Sequence, residues 1–424
     1  MTDALKVLTF GCRLNAAESE AMRTAATAQG LSDAVLVNTC AVTGEAVRQA
    51  RQAIRRARRE HPDAPIIVTG CAAQIEPEAF AAMPEVTRVI GNADKAKPSA
   101  YALSAASPRV AVDDIMRPRP ADPARVVAAL KDRVRAHVEI QNGCDHRCTF
   151  CVIPYGRGNS RSVPAGRVVE QVRALAHAGV NEVVLTGVDL TSWGADLPGA
   201  PTLGRLVLRI LKLVPELPRL RLSSIDAAEI DPDLMRALAE QERLMPFLHL
   251  SLQHGNDLIL KRMKRRHSRA DALRLIDQVR RVRPETAFGA DLIAGFPTET
   301  DAAFAELTSL VDEAGLSFVH VFPFSPRPGT PAARMPQVAR SVVKARAAAL
   351  RETAARALGR HLDRQIGRTV QALAENGGVA RAPDNTELAF QGEPGTLVML
   401  KIVGRDAMRA KVQPLSVVGN AAGF

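Results

Sequence analysis

Cys144, Cys148 and Cys151 stand in the run Gln141-Asn142-Gly143-Cys144-Asp145-His146-Arg147-Cys148-Thr149-Phe150-Cys151, a Cys-x3-Cys-x2-Cys spacing. Three thiolates drawn together can hold a four-iron cluster by three of its irons. The fourth iron then has no protein ligand and stays open to a chelating small molecule. Electron-transfer clusters close all four positions with protein ligands, so an open position marks a reactive cluster. The competing chemistry is a Cys3His zinc site that uses His146. Zinc knuckles usually separate their ligand pairs by a longer finger, and no second pair follows Cys151, so the spacing favours iron.

Three more cysteines share one topological position. Leu5–Phe10 reads as a strand ending at Gly11-Cys12, Ala34–Asn38 as a second ending at Thr39-Cys40, and Pro65–Thr69 as a third ending at Gly70-Cys71. Helical patterns follow, as in Glu45–Glu60 and Pro77–Met83. Repeated strand–cysteine–helix units imply a parallel sheet whose strand carboxyl ends share an edge, where open α/β sheets place their ligands. Inert core thiols are the alternative, since free cysteine is among the most buried residue types. The repeated placement argues instead for a second three-cysteine cluster, again with one open iron.

The elements that must carry these loops give an α/β protein in several parts. Residues 1–106 form the N-terminal parallel α/β domain and 107–131 a linker, with prolines at 108, 118, 120 and 123. Residues 132–363 carry candidate strands Ala136–Gln141, Glu182–Thr186, Arg219–Ser223, Phe247–Ser251, Phe288–Leu292 and Phe318–Val321. Helical patterns such as Pro164–His177, Pro232–Glu242, Ala270–Val282 and Ala302–Glu313 separate them, which predicts a (β/α)6 partial barrel. Gln337–Leu362 reads as one helix or two. Residues 364–424 shorten into β segments (Thr369–Leu373, Gly378–Arg381, Glu387–Phe390, Thr396–Ile402 and Ala407–Val412) that fit a small OB-like barrel.

Composition is that of a globular protein, 46% hydrophobic and 24% charged over 424 residues. No apolar run reaches membrane-spanning length, since Arg205, Arg209 and Lys212 break the most apolar helix, and no signal peptide is seen. A cytoplasmic location without a membrane partner is expected, where six cysteines suggest metal chemistry more than disulfides. A net charge of +11 favours an anionic partner such as RNA. Two basic clusters are candidates for phosphate contact: Arg48, Arg51, Arg55 and Arg58 beside an apolar stripe of Val47, Ala50, Ile54 and Ala57, and the run Lys261–His267. A solvated helix face is the plainer reading of either. Residues 366–412 hold six basic and five acidic residues, so most phosphate contact is expected from the rest of the chain.

The two cysteine sets, with Phe10–Asn15, Asn38–Thr43, Thr69–Cys71, the loop Pro154–Gly158 with Arg161, Leu185–Asp189, Ser251–Gln253 and Asp291–Glu299, resemble the radical S-adenosylmethionine methylthiotransferases. That family joins an N-terminal α/β domain, a radical barrel and a small RNA-binding barrel called TRAM. The resemblance implies two [4Fe-4S] clusters and S-adenosyl-L-methionine as cofactors. Cys144, Cys148 and Cys151 would hold the cluster that cleaves the cofactor, and Cys12, Cys40 and Cys71 the auxiliary cluster that carries the inserted sulfur. It also implies tRNA, a reduced electron-donor protein and a sulfur donor as partners. Three branches act on isopentenyladenosine in tRNA, on threonylcarbamoyladenosine at tRNA position 37, and on an aspartate of a ribosomal protein. Cys12–Asn15 with Glu18, Cys40–Thr43 and Gly187–Thr191 look most like the threonylcarbamoyl branch, whose product carries sulfur and methyl at carbon 2. A non-catalytic, zinc-stabilised RNA-binding protein is the reading of another class.

For cofactor contact the resemblance points to Phe150, Tyr155, Gly187, Val188 and Asp189, and strand-end position adds Ser223 and Gln253. Burial for packing is the alternative for Tyr155, and a helix cap or turn for Asp189. Gly295-Phe296-Pro297 is expected to shape a turn, and Thr298 to start the next helix in a capping box with Asp301. His254 departs from the small residue expected after Leu252-Gln253, and would either crowd the cleft or hydrogen-bond substrate.

Overall fold

The computed structural model describes residues 5–104, 107–117 and 134–418, so the predicted linker is followed only to Arg117. Prolines 118, 120 and 123 and the last residues of the predicted C-terminal domain lie outside the described residues. The chain divides into two units. The first comprises Met1–Ala129, Glu139–Val163 and Ser325–Ala333, and the second Leu130–Val138, Pro164–Phe324 and Arg334–Phe424.

The first unit is built on a parallel sheet of β1 (Lys6–Thr9), β2 (Val35–Thr39), β3 (Ile66–Gly70), β4 (Arg88–Ile90) and β5 (Val110–Ala111), in sequence order. β2 and β3 are buried at every position, as continuous apolar runs demand when both sheet faces are covered. The covering helices include α1 (Arg13–Ala28), α2 (Gly44–Glu60), α3 (Cys71–Ile75) and α4 (Pro77–Ala81). Val47, Ala50, Ile54 and Ala57 are the buried stripe of α2, as their spacing predicts, and Thr43 caps it by accepting from the Ala46 N–H. Strands β4 and β5 extend the sheet beyond the three predicted, being too short to show a period.

In the second unit the six predicted strands keep sequence order but occupy two sheets. β6 (Arg135–Glu139, whose last residue belongs to the first unit) neighbours β9 (Glu182–Thr186), which pairs with β10 (Arg219–Leu222). The short hairpin β7 (Gln141–Asn142) and β8 (Arg161–Ser162) belongs to the first unit. The predicted strand Arg219–Ser223 breaks at Ser223, and β11 (Ser224–Ile225) starts a parallel sheet with β12 (Phe247–Gln253), β13 (Ala287–Ala294) and β14 (Phe318–Pro323). Leu248, Leu250, Ala290 and Leu292 are fully buried, whereas His249, Asp291 and His320 alternate with them on the other face.

The other helices are α5 (Ile153–Arg157) in the first unit, and in the second α6 (Ala165–His177), α7 (Leu203–Leu213), α8 (Pro232–Glu240), α9 (Asp257–Arg262), α10 (Arg269–Val282), α11 (Asp301–Glu313) and α12 (Arg340–Gln365). The Ala/Arg-rich stretch is thus a single helix. No helix among the described residues is long and apolar enough to cross a membrane. The expectation for Thr298 is corrected: it sits at φ 68, its hydroxyl turned onto the Pro297 carbonyl. A cap needs extended backbone, and Thr300 supplies it, accepting from the Ala303 N–H at 3.2 Å.

Strands β15 (Thr369–Glu375), β16 (Val379–Arg381), β17 (Glu387–Ala389), β18 (Leu397–Arg405) and β19 (Ala410–Val418) close into a barrel, as expected. Buried charge fastens it to the sheets. Glu182 lies 2.9 Å from Arg221, 3.2 Å from Arg219 and 3.7 Å from Arg135, and Arg135 continues to Glu375 at 2.7 Å. Arg219 and Arg221 also donate to the carbonyls of Arg381 and Pro383.

Candidate functional site

Cys12 immediately precedes α1, Cys40 follows β2 and Cys71 opens α3, all at the carboxyl edge of adjacent strands. Gly11, at φ 91, makes their approach possible, since a Cβ there would lie 2.5 Å from the Cys40 Cβ and Sγ. Burial pushes the Cys40 thiol up to about 11. The Val42 N–H, 3.5 Å from its sulfur, works against that rise, while Cys71 and Cys12 add to it. Three thiols that feel one another, Cys40 and Cys71 buried and Cys12 exposed, favour a bound cation, which removes their protons. The donor set and the space kept by Gly11 fit a cluster held by three cysteines.

The second set lies on one loop of the same unit. The Cys144 N–H donates to the Gly158 carbonyl at 3.0 Å, Cys151 N–H to Cys148 O at 3.1 Å, and Ile153 N–H to Cys151 Sγ at 3.4 Å. Arg147 spans the loop to Asn159 Oδ1 at 3.0 Å, and the Ala332 N–H reaches the Thr149 carbonyl at 2.9 Å. All three thiols are partly exposed. A partly open three-thiolate loop fits a cluster with one iron free for an exogenous chelator.

The two sets are tied together. Helix α5, which follows Cys151, packs on α3, which opens at Cys71. A Cβ on Gly156 would lie 3.0 Å from that of Cys71, and Asn92 donates to the Gly156 carbonyl at 2.6 Å. The buried Arg157 forks onto both carboxylate oxygens of Glu18 at 2.9 Å and onto Asn15 Oδ1 at 2.6 Å. Asn15 is oriented for this because its amide donates to the carbonyls of Phe10 and Thr39. Lys95 adds a second cation 2.6 Å from Glu18. Burial resists ionisation of Glu18, but Arg157 and Lys95 prevail and hold it down to about 2. Nearby Glu139 is pushed up to about 7, first by burial and then by the Glu18 charge. Asn15, Glu18 and Arg157 entered the sequence reading only as motif letters. No local signal links Arg157 to a partner 139 positions away.

Phe150 and Tyr155 lie with the cysteines in the first unit. Tyr155 is 52% exposed, which excludes a packed interior role. In the second unit Gly187 and Val188 are partly exposed just past β9, and the buried Asp189 accepts from the Ser192 hydroxyl at 2.6 Å. Ser223 sits at the break between β10 and β11, and Gln253 ends β12 at φ 68 beside an irregularity in the pairing with β13. Left-handed backbone at a non-glycine residue is a local strain of the kind that collects at binding sites.

Two expectations are corrected. His254 neither crowds a cleft nor faces substrate: it is buried, its Nδ1 accepts from the Asn256 N–H at 3.0 Å, and its Nε2 therefore donates to Glu299 at 3.0 Å. Glu299 also accepts from Gly295 N–H and from Arg346. Lys261–His267 is not one basic surface, because Met263 and His267 are buried and Arg265 pairs with Asp226 at 2.9 Å. On α2, Arg58 is spent on the carbonyls of Pro62, Ala64 and Glu85, and Arg51 on Glu76 and the Phe80 ring, which leaves Arg55, Arg56 and Arg59 exposed. The group His249, Asp291 and His320 was missed, because only strand register assembles it.

Residues 138–311 match the family model described as the radical SAM superfamily, and residues 4–91 the model described as uncharacterized protein family UPF0004. The chain is 50% identical over 375 residues to threonylcarbamoyladenosine tRNA methylthiotransferase MtaB of Rickettsia prowazekii (strain Madrid E), covering 88% of each chain. It is 36% identical to the protein of that name from Thermotoga maritima, covering 88% of this chain and 86% of that one. With the tRNA-2-methylthio-N(6)-dimethylallyladenosine synthase of Novosphingobium aromaticivorans the identity is 34%, over 94% of each chain. Among solved structures, the radical S-adenosylmethionine methyltransferase TsrM from Kitasatospora setae, with cobalamin and a [4Fe-4S] cluster bound, superposes with a TM-score of 0.53. It covers 78% of this chain and 77% of its own, and at 17% identity the likeness is one of fold alone.

Proposed function

The chain belongs to the radical S-adenosylmethionine methylthiotransferase family, and from that premise we propose that it methylthiolates tRNA at carbon 2 of threonylcarbamoyladenosine 37. The branch assignment is supported by the 50% identity to a relative named for that nucleoside, against 34% for one named for dimethylallyladenosine. The family uses a [4Fe-4S] cluster with S-adenosylmethionine, which together supply a radical able to take hydrogen from an inert aromatic C–H bond.

In this reading Cys144, Cys148 and Cys151 hold that cluster. Cys12, Cys40 and Cys71 would hold a second one, which would supply the sulfur. Phe150 and Tyr155 would serve the cofactor's adenine, Gly187, Val188 and Asp189 its amino group, and Ser223 and Gln253 the cofactor or substrate. Arg55, Arg56 and Arg59 with Lys261 and Lys264 meet phosphates. A reduced protein and a sulfur source act as donors, segments 1–106, 132–363 and 364–424 serve as the three domains, and the cytoplasm is the site of action. The observation that carries the reading is the packing of one cysteine set on the other through Gly156, Arg157 and Glu18.

The test is anaerobic purification, reconstitution and assay of iron and sulfide, followed by nucleoside mass analysis of tRNA from a deletion strain. About eight irons per chain are expected, falling to about four in a Cys144→Ala/Cys148→Ala/Cys151→Ala variant and in the matching variant at 12, 40 and 71. The deletion strain should keep threonylcarbamoyladenosine and lose its methylthio form. Zinc without iron, or an unchanged nucleoside profile, overturns the proposal.

A further inference from the structure

We propose that His249, Asp291 and His320 form the subsite that receives the carboxylate of the amino-acid substituent on the target nucleoside. The inference rests on the tRNA reading above and names the contact that selects the substrate.

The three residues come from adjacent strands. His320 stands opposite Asp291 in the β13–β14 pairing, and His249 opposite Gly289 in the β12–β13 pairing. His249 Nε2 is 2.9 Å and His320 Nδ1 3.1 Å from the same Asp291 oxygen, with the two rings 4.8 Å apart. Room for this is built into the sheet. A Cβ on Gly289 would lie 2.6 Å from His249 Nδ1 and 2.9 Å from the Phe318 carbonyl, so only glycine lets the ring in. Burial opposes ionisation of Asp291, yet the hydrogen bonds from both imidazoles hold it well below the usual carboxylate range. An ionised carboxylate only accepts, so each ring turns an N–H toward it. His320 then offers its far edge, Nε2, outward from a side chain that is 64% exposed.

The surroundings point to a ligand. A parallel sheet is ordinarily apolar on both faces. Here one face is filled by Leu248, Leu250, Ala290 and Leu292, and the other carries this polar group. Toward the amino ends of the strands that second face is closed. Phe318 packs edge-on against Phe247 and His361, and the C-terminal barrel hangs from Arg219 and Arg221. The triad is the first layer above that floor. A threonylcarbamoyl group carries a carboxylate, to which His320 in its imidazolium form, with Nδ1–H held by Asp291, donates its Nε2–H in a charge-assisted hydrogen bond. A dimethylallyl group would strip water from the same polar atoms and give no bond in return.

The test uses the reconstituted full chain and two anticodon stem-loop RNAs, one with threonylcarbamoyladenosine and one with the methyl ester of the same substituent. The wild type should favour the acid by about 10–100-fold in kcat/KM. His320→Ala and Asp291→Asn should shrink that preference to within about threefold, His320→Gln should restore part of it, and iron content should stay at the wild-type value. Equal use of acid and ester by the wild type overturns the inference without recourse to any variant, and so does a His320→Ala enzyme that keeps the wild-type preference. A wild type that modifies a third, dimethylallyl stem-loop RNA and neither of these two overturns the threonylcarbamoyladenosine reading instead.

Discussion

At the scale of single residues, the buried charges make sharp demands. Glu182 is fully buried against three arginines, and Glu182→Gln would leave cations without a counter-charge. Breaking such a pair costs about 3–5 kcal/mol, which chemical denaturation of the second unit should register. Glu18 and Glu139 give the first unit a pH profile. The carboxyl of Glu18, held to about 2, contributes stability above its unfolded value of 4.5 and loses it as pH falls toward 2. Glu139, raised to about 7, has the opposite sign: its contribution is complete below 4.5 and is lost as pH rises through 7. Denaturation midpoints of the cluster-free protein should therefore decline from pH 4.5 to 7.5, and Glu139→Gln should flatten that decline. Gly11→Ala tests the cysteine cradle. Its Cβ would collide with Cys40, so iron should drop from about eight to about four per chain while the loop cluster stays.

At the scale of elements, the start of α11 separates two neighbouring threonines. Thr300→Ala removes the cap and should cost about 1 kcal/mol, whereas Thr298→Gly relieves left-handed backbone but gives up the bond its hydroxyl accepts from Arg262 at 2.7 Å, and should leave the melting temperature near level. What the sequence revealed and what it hid divide along similar lines. Apolar runs and the helical period of α2 were legible because burial writes them locally. The Cys144–Cys151 spacing was legible because its three residues lie within one short loop. β4 and β5 were not, since three and two residues hold no period and only pairing with β3 makes them strands. The Lys261–His267 run looked like one surface because neighbours in sequence point different ways once a helix ends within them. His254 looked like a cleft residue until Glu299, 45 positions on, was seen to take its proton donor. Asp291 and His320 were unreadable as a pair for the same reason, 29 positions being bridged only by strand register.

At the scale of the whole molecule, the chain does not finish one unit before it starts the next. The first unit is closed by Ser325–Ala333, where the Ser325 hydroxyl accepts from the Gly44 N–H at 3.2 Å and Ala332 holds the Thr149 carbonyl of the cysteine loop. This has a consequence for how the protein is made. About 160 residues separate Val163, where the cysteine loop is complete, from Ser325. At ~5–20 residues per second they take roughly 10–30 s to synthesise. For that interval six thiols are already on the nascent chain while the segment that braces their loop is still unmade. On the proposed ligand assignment, the loop that would hold iron gains its brace only once residue 333 has been made.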